Sequence, residues 1–342
     1  MGPSETAMTT GMTPALGRGF EERCWCGNTE FKASPHPTYS ICLSCGTAKL
    51  KSGLETGQQP VADEHTHLYG EAYWNEHMRG FGYPPIAARA RADLAERAQY
   101  WLTHLLKYCL PPGRALELGC AHGGFVKLLE LAGFDATGIE MSPSIIQQAQ
   151  AWFGVRVLQG PIEHVSSPLG KFHVICMFDV IEHLASPLST MRSVIDCLDA
   201  DGVLMVQTPC HEGIAGSAWH NYKPPEHTFL FSRSAIRELF VKLGLDHISF
   251  EPALFGGDMF LLASRRVLTS IPRDRIAERL SATPNGRIAL AMQYMYEDIR
   301  DIPNLNLATR FGTKSLSIWL LRSVFQSARR RLGGGKDPGT RQ

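Results

Sequence analysis

From Arg114 onward, two patterns of apolar and polar positions take turns along the chain. Short apolar runs bounded by glycine, proline or charge predict buried strands at 114–118, 135–140, 155–159, 172–178, 202–208, 246–251 and 258–264. Between them, apolar residues recur at helical spacing over 122–132, 143–153, 187–198 and 232–243. Strands that alternate with helices predict a parallel sheet covered on both faces. Ser142-Pro143 and Ser186-Pro187 each place a capping serine before a helix-opening proline. Ser232 is placed to cap the fourth of these helices, and Gly244 to stop it. The last two strands flank Phe255-Gly256-Gly257, which reads as a hairpin. An antiparallel pair closing a parallel sheet predicts seven strands rather than the six of a dinucleotide fold.

Ahead of this core, a helical pattern runs from Ile86 to about Leu110 and is stopped by Pro111-Pro112-Gly113. Residues 68–85 are rich in aromatics, residues 51–67 are polar with Gly and Pro, and residues 1–20 read as a mobile tail. Residues 209–231 form an insert after the fifth strand, long enough to predict a functional loop. Residues 271–332 read as two or three helices, with a flexible end from Gly333. The predicted layout is a tail (1–20), a cysteine module (21–50), a linker with a helical segment (51–110), an α/β domain (111–266) and a basic helical extension (267–342).

Net charge is +1, which gives no global reason to expect nucleic acid. The placement is uneven: residues 265–342 hold fifteen Lys/Arg against six Asp/Glu, a surplus of +9 that leaves −8 on the rest. A basic extension on an acidic body suits an anionic partner or surface, or is simply a solvated face. Over Lys314–Leu332 the pattern is amphipathic, and this helix either lies peripherally on an anionic membrane surface or packs on the core or a second subunit. No apolar run approaches the length of a membrane span, and the amino terminus lacks a secretory pattern. Cys109, Cys120, Cys176, Cys197 and Cys210 read as reduced core thiols, so a cytoplasmic location is expected.

The chemistry gathers in a few strings. Ala115-Leu-Glu-Leu-Gly-Cys-Ala-His-Gly-Gly124 is a strand that runs into a glycine turn with a helix behind it, where free N–H groups face a ligand. Glu140 follows 23 residues after Glu117, at the tip of the next strand, where a carboxylate can chelate ribose hydroxyls. Cys24-Trp-Cys26-Gly27 and Cys42-Leu-Ser-Cys45-Gly46 are two glycine-ended knuckles suited to tetrahedral zinc, although the first pair is one residue short of the usual spacing. A module this small needs such a staple to fold.

The strings LELGCAHGG (116–124), GIEMS (138–142), LQGPIE (158–163), FDVIEHL (178–184), GVLMVQTP (202–209), PPEHTFLFS (224–232) and GGDMFLLASRR (256–266) resemble, in kind and order, the class I S-adenosylmethionine-dependent methyltransferases. The cysteine module resembles the zinc-ribbon start of some sugar and natural-product methyltransferases. The resemblance implies a Rossmann-like seven-stranded sheet with a small N-terminal zinc ribbon and a C-terminal helical extension. It implies S-adenosylmethionine as cofactor and Zn²⁺ on Cys24, Cys26, Cys42 and Cys45. Glu117 would hold the methionine amino end, with Gly119, Cys120, Ala121 and Gly123 giving backbone contact and Phe178 close by. Ala121 stands where a second glycine is common, and its methyl fits if φ stays negative. Glu140 would take both ribose hydroxyls, Met141 would lie against adenine, and Gly160, Pro161 and Ile162 would line the adenine edge. Pro161 replaces an acidic residue often found there.

Asp179, Glu182 and His183 follow the fourth strand, where they can reach the transferred methyl. His183 is the natural general base. The string is also similar to the E-x-x-E-H of quinone-type O-methyltransferases, which bind a divalent cation such as Mg²⁺, with Asp179 in place of the first Glu; the opposing reading makes Glu182 and His183 structural. The 209–231 insert, with His211, Trp219, His220, Tyr222 and His227, reads as a substrate lid in which His227 is the residue expected to act. Trp219 and Tyr222 either anchor the lid or stack on substrate. The expected reaction is SN2 methyl transfer to a hydroxyl of a small-molecule acceptor: a sugar, glycolipid or natural product. Transfer to a sugar carbon, RNA methylation and a non-catalytic cofactor-binding partner protein stand as alternatives.

Overall fold

The computed structural model describes residues 23–51, 69–80, 82–213, 221–224 and 226–300. Trp219, His220 and the amphipathic segment Lys314–Leu332 lie outside the described residues.

Three short strands, β1 (Phe31–Ala33), β2 (Tyr39–Cys42) and β3 (Ala48–Leu50), form the cysteine module. Two helices follow, α1 (Ile86–Ala95) and α2 (Arg97–Leu106). The sequence pattern predicted a single helix here. The chain breaks at Glu96 (φ −123°, ψ −88°), and the break turns Arg97 so that its Nε lies 3.1 Å from Asp93 Oδ1. The alternating region gives β4 (Arg114–Leu118), α3 (Gly124–Ala132), β5 (Asp135–Glu140), α4 (Pro143–Phe153), β6 (Val157–Gln159), α5 (Ile162–Leu169), β7 (Phe172–Phe178), α6 (Pro187–Asp196) and β8 (Leu198–Pro209). Helix α5 was not anticipated. After β9 (Phe229–Leu230) come α7 (Arg233–Lys242), β10 (His247–Glu251), β11 (Asp258–Ser264), α8 (Arg273–Ser281) and α9 (Pro284–Arg300).

Seven strands run in the order β10-β11-β8-β7-β4-β5-β6. The β8–β7–β4–β5–β6 pairs are parallel, whereas β11 is antiparallel to both β8 and β10, as the hairpin reading predicted. This is the seven-stranded Rossmann-like sheet that the sequence pattern predicted. Apolar side chains fill both faces: one core includes Leu116, Ile175, Leu204 and Leu261, the other Leu105, Leu128, Val174 and Met205. Strands so enclosed carry no polar face, which is why they read as continuous apolar runs.

The capping serines act unequally. Ser142 accepts from Ile145 N–H and Ser232 from Ala235 N–H, as expected. Ser186, at φ −131° and ψ 72°, caps with no side-chain hydrogen bond.

The cysteine module is part of the main body rather than a bead on a linker. Cys24, Trp25, Cys42 and Cys45 belong to the same apolar cluster as α7 and the sheet. Strand β9, from the insert, completes the module's sheet by pairing with β3 (Ala48↔Leu230, Lys49↔Phe229). Tyr222 packs against the module, stacked on His36 at 4.9 Å and edge-on to Tyr39 at 4.9 Å, so it anchors the insert.

Candidate active site

The parallel strands end on a cavity of about 460 Å³, within the range of small-molecule sites. One wall is built by the β4 and β5 termini. Gly119 takes φ +68°, and a Cβ there would come within 2.6 Å of Val180 Cγ2, so only glycine fits the turn. Ala121 adopts φ +44°, contrary to the expected negative value, and its N–H donates to Glu140 Oε2 at 3.0 Å. That bond supplies a local reason for a left-handed alanine. Glu140 Oε1 accepts from Met141 N–H (2.7 Å) and Ser142 N–H (3.2 Å). The carboxylate therefore closes the turn besides facing the cavity, and three of its roughly four acceptor positions are engaged by backbone.

Glu117 is 5 % exposed, and its Oε2 has no hydrogen-bond partner among the described residues. Burial holds its carboxyl well above the usual carboxylate range. A buried acid with a free oxygen at a cavity wall suits a cationic partner such as an ammonium, which would restore the ionised form. Because the native pKa is raised, protein without ligand binds a proton there that an incoming cation expels. Ligand binding is therefore expected to release protons. Calorimetry in buffers of different ionisation heat checks this, and a Glu117→Gln variant is expected to remove the release.

Cys120, Met141, Gly160, Pro161, Ile162 and Phe178 also line the cavity. Phe178 lies flat on Trp101 at 3.6 Å. Gly123 does not line it: at φ +75°, with a Cβ position 3.0 Å from Ala149 Cβ, it packs the start of α3 against α4. Glu163 lines the cavity together with Pro161 and accepts a hydrogen bond from Thr190 Oγ1.

At the opposite end of the cavity, which the proposed function assigns to the acceptor, Glu182, His183 and His227 converge, with one ligand atom from each within 4.8 Å of the others. His183 Nδ1 lies 3.1 Å from the Glu226 carbonyl, and His227 Nδ1 2.7 Å from the Asn221 carbonyl. A carbonyl only accepts, so both Nδ1 atoms carry the hydrogen and both Nε2 atoms keep their lone pairs. Burial lowers the pKa of His183, and lowers that of His227 well below the usual value, so both are neutral at pH 7. Glu182 is fully buried and accepts from Thr208 Oγ1 at 2.8 Å. Desolvation, with the charge of Asp179 adding, holds its carboxyl well up.

Asp179 stands apart from this trio. Its backbone is left-handed (φ +56°), and it shares the Gln207 amide with Asp258, at 3.4 Å and 3.2 Å. Arg97 Nη1 lies 3.7 Å from Asp179. Burial and the neighbouring Asp179 push Asp258 up to about 7. Gln207, Asp258 and Arg97 went unremarked in the sequence because each sits inside an ordinary strand or helix pattern.

A strap at Tyr69–Gly80 covers this end. Tyr69, at φ +74°, places its hydroxyl 3.1 Å from His183 Nδ1. Tyr73 donates to Glu226 at 3.0 Å, and His77 Nε2 lies 2.6 Å from the same carboxylate. Glu226 thus latches the strap to the segment that carries His227. His211 falls on a short turn after β8 and is not among the cavity residues.

The four cysteines also converge. Sγ–Sγ distances are 3.6 Å for Cys24–Cys45 and 3.6 Å for Cys26–Cys42, against about 3.8 Å for the edge of a tetrahedron with Zn–S bonds near 2.3 Å. The glycines act indirectly. Gly27 and Gly46, both at positive φ, donate their N–H groups to the Cys24 and Cys42 carbonyls. The N–H groups that face sulfur belong to Cys26, Asn28 and Thr47. Burial pushes the Cys26 thiol up to about 11, a cost that a bound cation would relieve.

Comparison with known proteins agrees with this layout. Residues 90–249 match the family model described as a methyltransferase domain. The chain is 30% identical over 100 residues to the ubiquinone biosynthesis O-methyltransferase of Azorhizobium caulinodans, covering 28% of this chain and 40% of that one. It is 28% identical over 105 residues to the protein of the same name from Haemophilus ducreyi, covering 28% and 44%. The chain therefore spans less than half the length of these relatives. Among solved structures, a possible histamine N-methyltransferase from Thermotoga maritima superposes at a TM-score of 0.42, with 21% identity, covering 53% of this chain and 96% of that one. Among the described residues, no helix is long and apolar enough to cross a membrane.

Proposed function

We propose that this chain, whose residues 90–249 match a methyltransferase domain, transfers a methyl group from S-adenosylmethionine to a hydroxyl of a small molecule, with His183 as general base. One observation carries this reading: a single cavity joins the Glu117/Glu140 wall to a neutral imidazole whose Nδ1 is tied to a backbone carbonyl. S-adenosylmethionine, when bound, supplies an electrophilic methyl on a sulfonium. Glu117 would take its ammonium and Glu140 a ribose hydroxyl. The strap and the insert exclude water from the acceptor end. The attacking oxygen gives its proton to His183 Nε2 as the carbon–oxygen bond forms and the carbon–sulfur bond breaks, leaving the methyl ether and S-adenosylhomocysteine.

The convergence of Glu182, His183 and His227 favours a second reading, in which these three hold a divalent cation that lowers the pKa of the acceptor hydroxyl. His227, rather than Asp179, would then complete the set. Zn²⁺ on the four cysteines is proposed as structural.

His183→Ala is expected to lower turnover about 10²–10⁴-fold while leaving S-adenosylhomocysteine affinity within twofold. Screening hydroxylated aromatic and sugar acceptors with tritiated cofactor checks this. Chelator treatment separates the readings. Activity unchanged after removal of Mg²⁺ supports the base alone, and activity lost and then restored by Mg²⁺ supports the cation. Acceptors methylated equally well by the His183→Ala variant would overturn both.

A further inference from the structure

Among the described residues, the unpartnered polar atoms of the cavity fall into two kinds. Glu117 Oε2 and Glu182 Oε1 are carboxyl oxygens, whereas Trp74 Nε1 and Asn221 Nδ2 are donors, and all four residues line the same cavity. A buried polar group left without a partner is costly, so each implies a ligand atom of the opposite kind. The methyltransferase reading employs the first for the cofactor ammonium, and its cation variant employs the second. It gives the two donors nothing to bind.

Trp74 belongs to the strap and Asn221 to the insert, the two segments that bring Tyr69 and His227 to His183. Asn221 is 8 % exposed and holds His227 through its carbonyl. Trp74 packs edge-on against Tyr73 at 5.3 Å, in the strap. An indole N–H donates only, so it selects a bare acceptor atom. Charge at this corner has the matching sign. The Tyr83 ring is flanked by Lys223 Nζ at 5.3 Å and Arg89 Cζ at 5.2 Å, and the same guanidinium lies 5.7 Å from the Trp74 ring. Arg89 is also held by Asp93 at 3.3 Å, which fixes its direction. The carboxylates around this end are each engaged: Asp93 by Arg89, Arg97 and His122, Glu226 by Tyr73 and His77, and Asp179 and Asp258 on Gln207 beside Arg97. Tyr69, Tyr73, Met78 and Phe255 give the rest of this end an apolar, largely aromatic lining.

We infer that the methyl acceptor carries an oxyanion group, a carboxylate or a phosphate, on a flat apolar body, with its oxygens against Trp74 Nε1 and Asn221 Nδ2 in the field of Lys223 and Arg89. This deepens the proposed function and rests on it, since the ligand is the acceptor of the same cavity. The oxyanion orients the acceptor so that a hydroxyl elsewhere on its ring or chain meets His183.

The test uses the full chain loaded with S-adenosylhomocysteine and three probes of one shape: benzoate, phenyl phosphate and benzamide. Calorimetric titration is expected to show at least one charged probe binding about tenfold or more tighter than benzamide, a margin in keeping with charge-assisted hydrogen bonds. The stronger of the two identifies carboxylate or phosphate. Asn221→Leu and Lys223→Met are each expected to weaken that probe about tenfold, with S-adenosylhomocysteine affinity within twofold and unchanged circular dichroism. Benzamide binding as tightly as both charged probes, charged probes indifferent to both substitutions, or no saturable binding of either charged probe overturns the inference. Failure of the protein to bind S-adenosylhomocysteine strikes the methyltransferase reading instead, so the two outcomes are separable.

Discussion

A Cys45→Ser variant is expected to lose its zinc and the order of the acceptor end while still binding S-adenosylhomocysteine. The four-cysteine site and His227 are joined by short, buried links. Tyr39, fully buried, donates to the His227 carbonyl at 2.7 Å. Leu50 N–H donates to the Thr228 carbonyl at 2.9 Å, and Thr228 N–H to the Glu182 carbonyl at 2.8 Å. Ser232, which caps α7, donates its hydroxyl to the Cys45 carbonyl at 3.1 Å. A serine hydroxyl is a poor substitute for a thiolate ligand, and a structural zinc supplies much of the folding energy of so small a module. Displacement of a catalytic group by about 1 Å costs on the order of 10²-fold in rate, so methyl transfer is expected to fall by at least that much. The direct readout is hydrogen exchange. Protection of the Leu50 and Thr228 amides should be lost, while that of the β4 and β5 amides and the cofactor affinity persist. Parallel loss of cofactor affinity would show instead that the module and the sheet unfold as one unit.

Glu140→Ala carries the second large effect, because that carboxylate serves both the turn and the ligand. Removing it strands the N–H groups of Ala121, Met141 and Ser142. At about 1 kcal/mol or more for each stranded donor, the loss is roughly 3 kcal/mol, or roughly 6–12 °C in Tm for a domain of this size. Stabilisation by S-adenosylhomocysteine is expected to vanish with it. Glu140→Gln keeps the shape and one acceptor oxygen, so it should retain more of the melting temperature than of the ligand response. Differential scanning calorimetry with and without ligand reads both. A Glu140→Ala protein that melts like wild type would show the turn to be held by other groups.

The sheet was legible because strands buried on both faces leave uninterrupted apolar runs, and 114–118, 135–140, 172–178 and 258–264 match β4, β5, β7 and β11 residue for residue. Helix α5 was missed because Ile162–Leu169 contains Ser-Ser-Pro and begins without a capping side chain. The break at Glu96 has no glycine or proline to announce it. The glycine turn and Glu140 were readable as local strings, but the positive φ of Ala121 depends on a hydrogen bond across 19 residues. The strap showed only as aromatic richness. Its contacts to His183 and Glu226 join positions 114 and 153 residues apart. The pairing of β3 with β9 is hidden for the same reason, since a two-residue strand has no periodicity to read. Trp74 and Asn221 stand out only once their lack of a partner is visible.

Calorimetric titration of the zinc-loaded full chain with S-adenosylhomocysteine tests the central claim most directly. Saturable one-to-one binding in the micromolar range, accompanied by proton release, is the predicted result. A folded, zinc-loaded protein that gives no binding heat, and no ligand-dependent rise in Tm, contradicts it.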